Sequence, residues 1–219
     1  RTVDKLKQGS KVVVISEKDG YSRIRTENGK IGYVKSDKLT NKTTVREKLE
    51  SKPQIEGKIN LVWDYYSEYV NAPIRTGSIP GVNVVSPSFF SLKNTDGLAI
   101  IDNATRGGED YIRWAKDNGY KIWAMFSNNS MRETTSQILN SYELRTTMIE
   151  KIVELAVKYQ LDGINVDFEN MNMSDKDMYS RFIIELAPRL REYGIVTSVD
   201  VTAPDGSENW SLCFDRDVL

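Results

Sequence analysis

The sequence predicts an α/β protein in which a parallel sheet of about five β/α units follows a small all-β module. Three observations lead there. Before residue 42, short runs rich in β-branched residues alternate with Asp-Gly and Asn-Gly turn signals. After Lys58, strand-like apolar runs alternate with helical patterns. One of those runs, around residue 165, places apolar side chains on one face and acids on the other. Composition agrees, because 39% hydrophobic and 28% charged residues in a chain of 219 suit a soluble globular protein with an ample core and one or two domains.

In the first module the strand candidates are Lys11 to Ile15, Tyr21 to Arg25 and Ile31 to Val34, separated by Asp19-Gly20 and Asn28-Gly29. Both dipeptides accept the positive φ angles of two-residue hairpin turns, so the stretch reads as part of a small antiparallel barrel or sandwich. Residues 9–34 resemble a bacterial Src-homology-3-like domain. The resemblance rests on a Gly before a Val-rich strand, an Asp-Gly-aromatic hairpin and a closing Gly-Lys-Ile-Gly-Tyr-Val. It assigns residues 1–42 to such a domain, N-terminally incomplete because the family's first strand is missing. Modules of this kind bind cell-wall peptides or act as spacers. Tyr21 and Tyr33 could line a peptide groove, or belong to the core or half-core as aromatics of small barrels commonly do. Residues 43–57 are polar, carry Pro53 and lack periodicity, and read as a linker.

From residue 58 the strand candidates are Ile59 to Tyr65, Val82 to Val85, Lys121 to Phe126, Leu161 to Phe168 and Ile195 to Val201. Helices are predicted over Asp110 to Asn118, ended by Gly119, and over Glu143 to Tyr159. A third runs from Ser174, as N-cap, to Tyr193, with Gly194 as its stop and Pro188 as a predicted kink. Strand-helix alternation fits both a doubly wound sheet and an eight-stranded barrel. No Gly-x-Gly-x-x-Gly follows a strand, which weakens a dinucleotide-binding reading. Five strands cannot close an eight-stranded barrel, so an open five-stranded sheet is a real alternative.

Several chemistries are excluded outright. Without histidine the chain builds no Ser-His-Asp or Cys-His relay and no metal site that needs an imidazole. Lone Cys213 forms no internal disulfide and reads as a buried small hydrophobe. No uninterrupted apolar run approaches the length of a membrane span. Net charge of −1 conceals a split: residues 1–58 hold 15 of the 30 basic and 8 of the 31 acidic residues, a balance of +7 against −8 for the rest. The basic module could rest on an anionic polymer or present a solvated basic face. The chain opens at Arg1-Thr2-Val3 without an initiator Met and reads as a piece of something longer.

The most informative segment is Leu161-Asp162-Gly163-Ile164-Asn165-Val166-Asp167-Phe168-Glu169-Asn170. Alternation in a strand puts Asn165, Asp167 and Glu169 on one face and Ile164, Val166 and Phe168 on the other. A polar row aimed into a barrel costs several kcal/mol per unpaired buried charge, and such a cost marks a site. An exposed acidic edge or a buried hydrogen-bonded cluster is the structural alternative. Oxygen ligands of this kind suit Mg²⁺ or Ca²⁺, but same-face positions about 6.6 Å apart converge poorly on one ion. General acid catalysis fits better, because a like-charge pair raises the pKa of one member and keeps a proton available near neutrality. Spacing alone leaves retaining and inverting hydrolysis both open.

This segment resembles the signature of glycoside hydrolase family 18, Asp-Gly-x-Asp-x-Asp-x-Glu on the fourth strand of a TIM (β/α)8 barrel. Asp162, Gly163, Asp167 and Glu169 match, and Asn165 stands where the pattern usually has its second Asp. The resemblance spans residues 58–219, including Asn60-Leu61-Val62-Trp63 and Thr202-Ala203-Pro204-Asp205-Gly206. It implies a C-terminally incomplete barrel, closest to the family's spore-cortex and cell-wall branch. It further implies substrate-assisted retention, with Glu169 as acid, Asp167 holding the substrate acetamido group, and Asn165 and Asp162 supporting, Asp162 as a structural acceptor at the start of the strand. The substrate class implied is a glycan with β-1,4 bonds next to N-acetylglucosamine, as in peptidoglycan or chitin.

Two departures stand out. The family's Ser-x-Gly-Gly on the third strand is absent, and that strand ends Phe126-Ser127-Asn128-Asn129. The sixth-strand Tyr that would clamp the acetamido group lies beyond Leu219, so the chain as given is expected to be inactive alone. Trp63, Tyr65, Phe89, Phe90, Phe126 and Trp210 fall near strand C-terminal ends, where rings stack on sugars or pack in the core. Of these Trp63, Tyr65, Phe89 and Trp210, together with Asn128, are the candidate substrate contacts; Trp114 and Trp123 belong to the core. No cofactor, no metal and no nucleic acid is implied. The partners expected are the polysaccharide and, through the basic module, the cell wall, at an extracytoplasmic location. A non-catalytic wall-binding protein with a degenerate barrel site is the alternative function.

Overall fold

The computed structural model describes residues 4–27, 29–44, 55–93 and 98–219. Most of the predicted linker, residues 45–54 with Pro53, lies outside the described residues, as does Asn28.

The N-terminal residues form a three-stranded antiparallel sheet of β1 (Val12–Lys18), β2 (Tyr21–Thr26) and β3 (Ile31–Lys35), in that order. Asp19 and Gly20 have φ of 51° and 78° and close the β1–β2 hairpin opposite the Lys18–Tyr21 pair, as the dipeptide predicts. Tyr21 and Tyr33 are exposed, against the expectation of core or half-core. The described strands make an open sheet rather than a closed barrel, so their aromatic rings have no second layer to enter.

The larger part contains five parallel strands in the order β4 (Leu61–Asp64), β5 (Val84–Pro87), β8 (Lys121–Ser127), β9 (Gly163–Asp167) and β10 (Val196–Val199). Consecutive neighbours follow chain order without a reversal. A doubly wound sheet needs a switch point where that order turns back, so the doubly wound alternative is excluded, while β4 and β10 form the two edges of the described parallel sheet. Helices α1 (Gly108–Asp117), α2 (Arg132–Asn140), α3 (Tyr142–Lys158) and α4 (Lys176–Arg191) flank the sheet. Ile122, Ala124 and Phe126 of β8 and Ile164 and Val166 of β9 are wholly buried against this layer.

Three features depart from the sequence expectation. No helix joins β4 to β5, and between β5 and β8 the chain inserts a hairpin of β6 (Phe90–Leu92) and β7 (Ile100–Asp102), with β6 also paired to β8. Helix α2 was not anticipated, because its apolar face is reduced to Ile138 and Leu139. The expected cap of α4 at Ser174 is displaced: the helix starts at Lys176, and Asp175 is drawn inward to accept from Asn140 Nδ2 at 2.7 Å and Asn172 Nδ2 at 3.3 Å. Pro188 lies inside α4, which continues to Arg191. It withdraws a donor only from Ile184, an exposed position, so the helix survives the loss.

The basic first module meets the acidic outer face of the barrel helices. Arg23 pairs with Glu150 of α3, and Arg25 pairs with Glu192 while its guanidinium lies 5.4 Å from the Tyr193 ring centroid. Part of the charge asymmetry is thereby neutralised within the chain.

Gly163 opens β9 on the inner face of the sheet. A Cβ there would stand 2.5 Å from Cδ1 and 2.7 Å from Cγ of Trp123, whose ring is itself buried. Glycine is therefore demanded by close approach. Gly163→Ala is expected to cost about 1–3 kcal/mol, read as a lower urea midpoint at unchanged slope; an unchanged midpoint would show that the Trp123 ring yields freely.

Candidate active site

The C-terminal ends of β8, β9 and β10 carry the polar row inward. On β9 the outer residues Ile164, Val166 and Phe168 are at most 1% exposed, and Phe168 stacks on Phe182 of α4 at 5.6 Å and packs edge-on to Phe126 at 5.2 Å. That packing fixes the strand's rotation. Asn165 and Asp167 are then forced to the concave side.

There Asp167 borders a cleft of about 270 Å³ lined by Trp63, Met125, Glu169, Asp200 and Thr202, among others, with Asn165 buried behind it. Burial, then the Glu169 carboxylate, then Asp200 push the Asp167 carboxyl up to about 7. Burial also raises Asp200, partly offset by hydrogen bonds from Asn165 and Trp63. The two donors reach the same oxygen: Asn165 Nδ2 to Asp200 Oδ2 is 2.7 Å and Trp63 Nε1 to Asp200 Oδ2 is 3.0 Å. Trp63 thus spans the concave side from β4 to the end of β10. Asp162, at the start of the strand, accepts from Lys121 Nζ at 2.9 Å and Ile122 N at 3.0 Å, which ties β9 to β8. Among the described residues no three His, Cys, Asp or Glu side chains converge as metal ligands would.

Of the sequence-derived candidates, the structure gathers Trp63, Asp167 and Glu169 at this cleft, with Asn165 buried behind it and bonded to Asp200. Tyr65 is exposed beyond β4 and Trp210 sits partly exposed in the segment after β10; neither lines it. Phe89 is corrected from substrate contact to core, since it is fully buried edge-on to Phe90 and Tyr111. Phe90 and Phe126 are core for the same reason, and Trp114, Trp123 and Cys213 are buried as expected.

Asn128 is also corrected. It is wholly buried, and its amide grips the backbone of Glu169: Oδ1 accepts from Glu169 N at 2.9 Å while Nδ2 donates to Glu169 O at 2.8 Å and to Thr135 Oγ1 at 3.0 Å. It holds the Glu169 backbone and is not free for sugar. The next two residues, Asn129 and Ser130, adopt φ of 52° and 53°, a left-handed pair where the family resemblance places its Gly-Gly. Hydrogen bonds hold this unfavourable backbone: Asn129 N to Ser127 Oγ at 3.0 Å, Asn129 Nδ2 to Leu92 O at 2.9 Å and Ser130 N to Asn128 Oδ1 at 3.2 Å.

Sequence reading missed Asp200. The signal was present, since Ser198 and Asp200 alternate with Val199 and Val201 as the acids do on β9.

The family model for glycosyl hydrolases family 18 matches residues 60–213. Among curated proteins, the uncharacterized glycosylase YvbX of Bacillus subtilis is 27% identical over 143 residues, covering 61% of this chain and 40% of that protein. Among solved structures, the spore cortex-lytic enzyme SleL of Bacillus megaterium superposes with a TM-score of 0.51 at 22% identity, over 60% of this chain and 31% of that one. The Group IV chitinase of Ostrinia furnacalis gives 0.58 at 19%, over 73% and 47%. The match therefore spans less than half the length of each of these proteins.

Asn128→Leu keeps the side-chain volume but leaves the Glu169 N–H and C=O unpaired. It should cost about 1–3 kcal/mol in chemical denaturation; stability equal to the parent would show that the clamp is dispensable.

Proposed function

The chain belongs to glycoside hydrolase family 18, whose members are TIM barrels, and from that premise we propose that it hydrolyses β-1,4 bonds next to N-acetylglucosamine in peptidoglycan or chitin-like glycans. The observation that carries this reading is the Asp167–Glu169 pair at the mouth of one cleft, with Asp167 pushed up to about 7. Beside the Glu169 carboxylate, Asp167 thus keeps a proton near neutrality.

In the proposed mechanism the proton rests on Asp167 in the empty site. A bound N-acetyl group presents its N–H to an Asp167 oxygen, which favours the carboxylate form and passes the proton to Glu169. Glu169 then delivers it to the glycosidic oxygen as the acetamido carbonyl attacks the anomeric carbon, and the Asp167 carboxylate stabilises the oxazolinium-like intermediate. Water, deprotonated by Glu169, opens that intermediate, so configuration is retained without an enzyme nucleophile. Trp63 offers an indole face beside the cleft for a sugar ring. No cofactor enters these steps.

The likeness to a spore cortex-lytic enzyme supports an extracytoplasmic site of action on spore or wall glycan. Residues 1–42 are proposed as the Src-homology-3-like wall-contact module, 43–57 as linker and 58–219 as the barrel. Among the described residues no helix is long and apolar enough to cross a membrane.

A second reading rests on Asn165. Its amide is saturated by Ser198 and Asp200 and exchanges no proton with Asp167, as a degenerate, sugar-binding barrel would allow.

The deciding measurement is reducing-end release from purified peptidoglycan and from N-acetylglucosamine oligomers by the full-length protein and its Glu169→Gln variant. Loss of about 10²–10⁴-fold in turnover with sugar affinity kept is expected, and equal activity in the variant would sink the assignment. Sugar binding without release from the unaltered protein would establish the second reading. The pH profile gives an independent check. The proton held by Asp167 is lost as pH rises through about 7, so kcat/KM should fall on the alkaline side of neutrality; a profile flat from pH 6 to 9 would contradict it.

A further inference from the structure

The place behind Asp167 on β9 is held by an amide that cannot carry charge. Asn165 is 1% exposed and both ends of its side chain are committed: Oδ1 accepts from Ser198 Oγ at 2.5 Å and Nδ2 donates to Asp200 Oδ2 at 2.7 Å. The charge is found one strand further on. The backbone N–H of Asp200 donates to Val166 O at 2.9 Å, which sets Asp200 beside Asp167 on the concave side. Its Oδ2 also takes the Trp63 indole N–H at 3.0 Å from the opposite edge of the sheet. Among the described residues no lysine or arginine forms an ion pair with Asp200. Two neutral donors thus hold a half-buried carboxyl at the cleft, an arrangement that keeps its field directed at neighbouring acids.

Resting on the glycosidase reading above, we propose that Asp200 is a positioning residue of this site, supplying from the fifth parallel strand the negative charge beside Asp167 that Asn165 does not carry and so coupling its own ionisation to that of the Asp167–Glu169 pair. The groups facing it are Asn165 and Asp167 of β9, Glu169 at the cleft, Trp63 of β4 and buried Tyr179 of α4. Arg216 approaches the same segment, but its Nη2 donates to the Thr202 carbonyl at 2.6 Å. The sign of the coupling is fixed. Removing a like charge lowers the pKa of the pair, so its proton is lost at lower pH.

The test compares kcat/KM against pH on N-acetylglucosamine oligomers for the full-length protein, Asp200→Asn, and the exchange variant Asn165→Asp with Asp200→Asn. In Asp200→Asn the alkaline fall should move to lower pH by about half a unit to one unit. The exchange variant, which returns the charge to the fourth strand, should restore it toward the parent, and remains informative if the single variant folds poorly. In parallel, the Asp167 carboxyl carbon is titrated by ¹³C NMR in the Glu169→Gln background with and without Asp200→Asn, a readout that needs no turnover. Unmoved profiles and titrations overturn the proposal. A shift in Asp200→Asn that the exchange does not reverse overturns it too, since a hydrogen-bonding role alone would then explain the effect. A shifted titration in a protein that releases no sugar supports the charge coupling and defeats the glycosidase reading instead.

Discussion

The barrel segment depends on one strand that must satisfy two opposed demands. On its convex side β9 buries Ile164, Val166 and Phe168 against α4 and β8, and this apolar row fixes its rotation. On its concave side the same rotation buries Asn165 and half-buries Asp167, where an unpartnered charge is expensive. The fold does not relieve that cost with a cation. It spreads it over neutral donors and over protonation, with Asn165 and Trp63 donating to Asp200 and Asp167 kept near a pKa of about 7. The strain of burying acids together is the same quantity that leaves a proton available for chemistry.

The acid itself is held from outside the strand. β9 ends at Asp167, so Glu169 has no ladder partner to fix its backbone. Asn128 takes over that role by acting as a backbone mimic, accepting from the Glu169 N–H and donating to its C=O. To bring Asn128 there, the chain after β8 turns sharply through two left-handed residues, Asn129 and Ser130. Asparagine tolerates that region better than most residues, because its short amide bonds locally. Glycines at those places would give the turn without strain. Here the Asn129 side chain also donates to the Leu92 carbonyl, binding the β6 hairpin to the site, while its backbone N–H donates to Ser127 Oγ.

These arrangements explain which parts were legible in the sequence. Period-two alternation exposed the polar row and the five parallel strands, and glycines at 119 and 194 marked helix ends that the structure places at Asp117 and Arg191. Alternation is a property of one strand, so it finds Asp167 and equally could have found Asp200. Contacts that join residues far apart in the chain leave no such trace. The Asn128 clamp on Glu169 spans 41 positions and the Trp63–Asp200 bond spans 137. Phe89 illustrates the converse error. Its position after a strand suggested a sugar platform, but the Tyr111 ring of α1 and the Tyr159 ring pack onto it and make it core.

Charge follows the same logic at larger scale. An excess of +7 in residues 1–58 suggests attraction to an anionic wall, yet two of the most deeply placed cations of that module are already paired. Arg25 is 5% exposed and committed to Glu192, and Arg23 to Glu150, both acids of the barrel part. Arginines spent on such contacts hold the module against α3 and α4 and cannot also serve a polymer. Lys30 and Lys42, which pair with Asp4 and Glu17 of the module itself, are partly to largely exposed and only weakly held, because surface ion pairs contribute little.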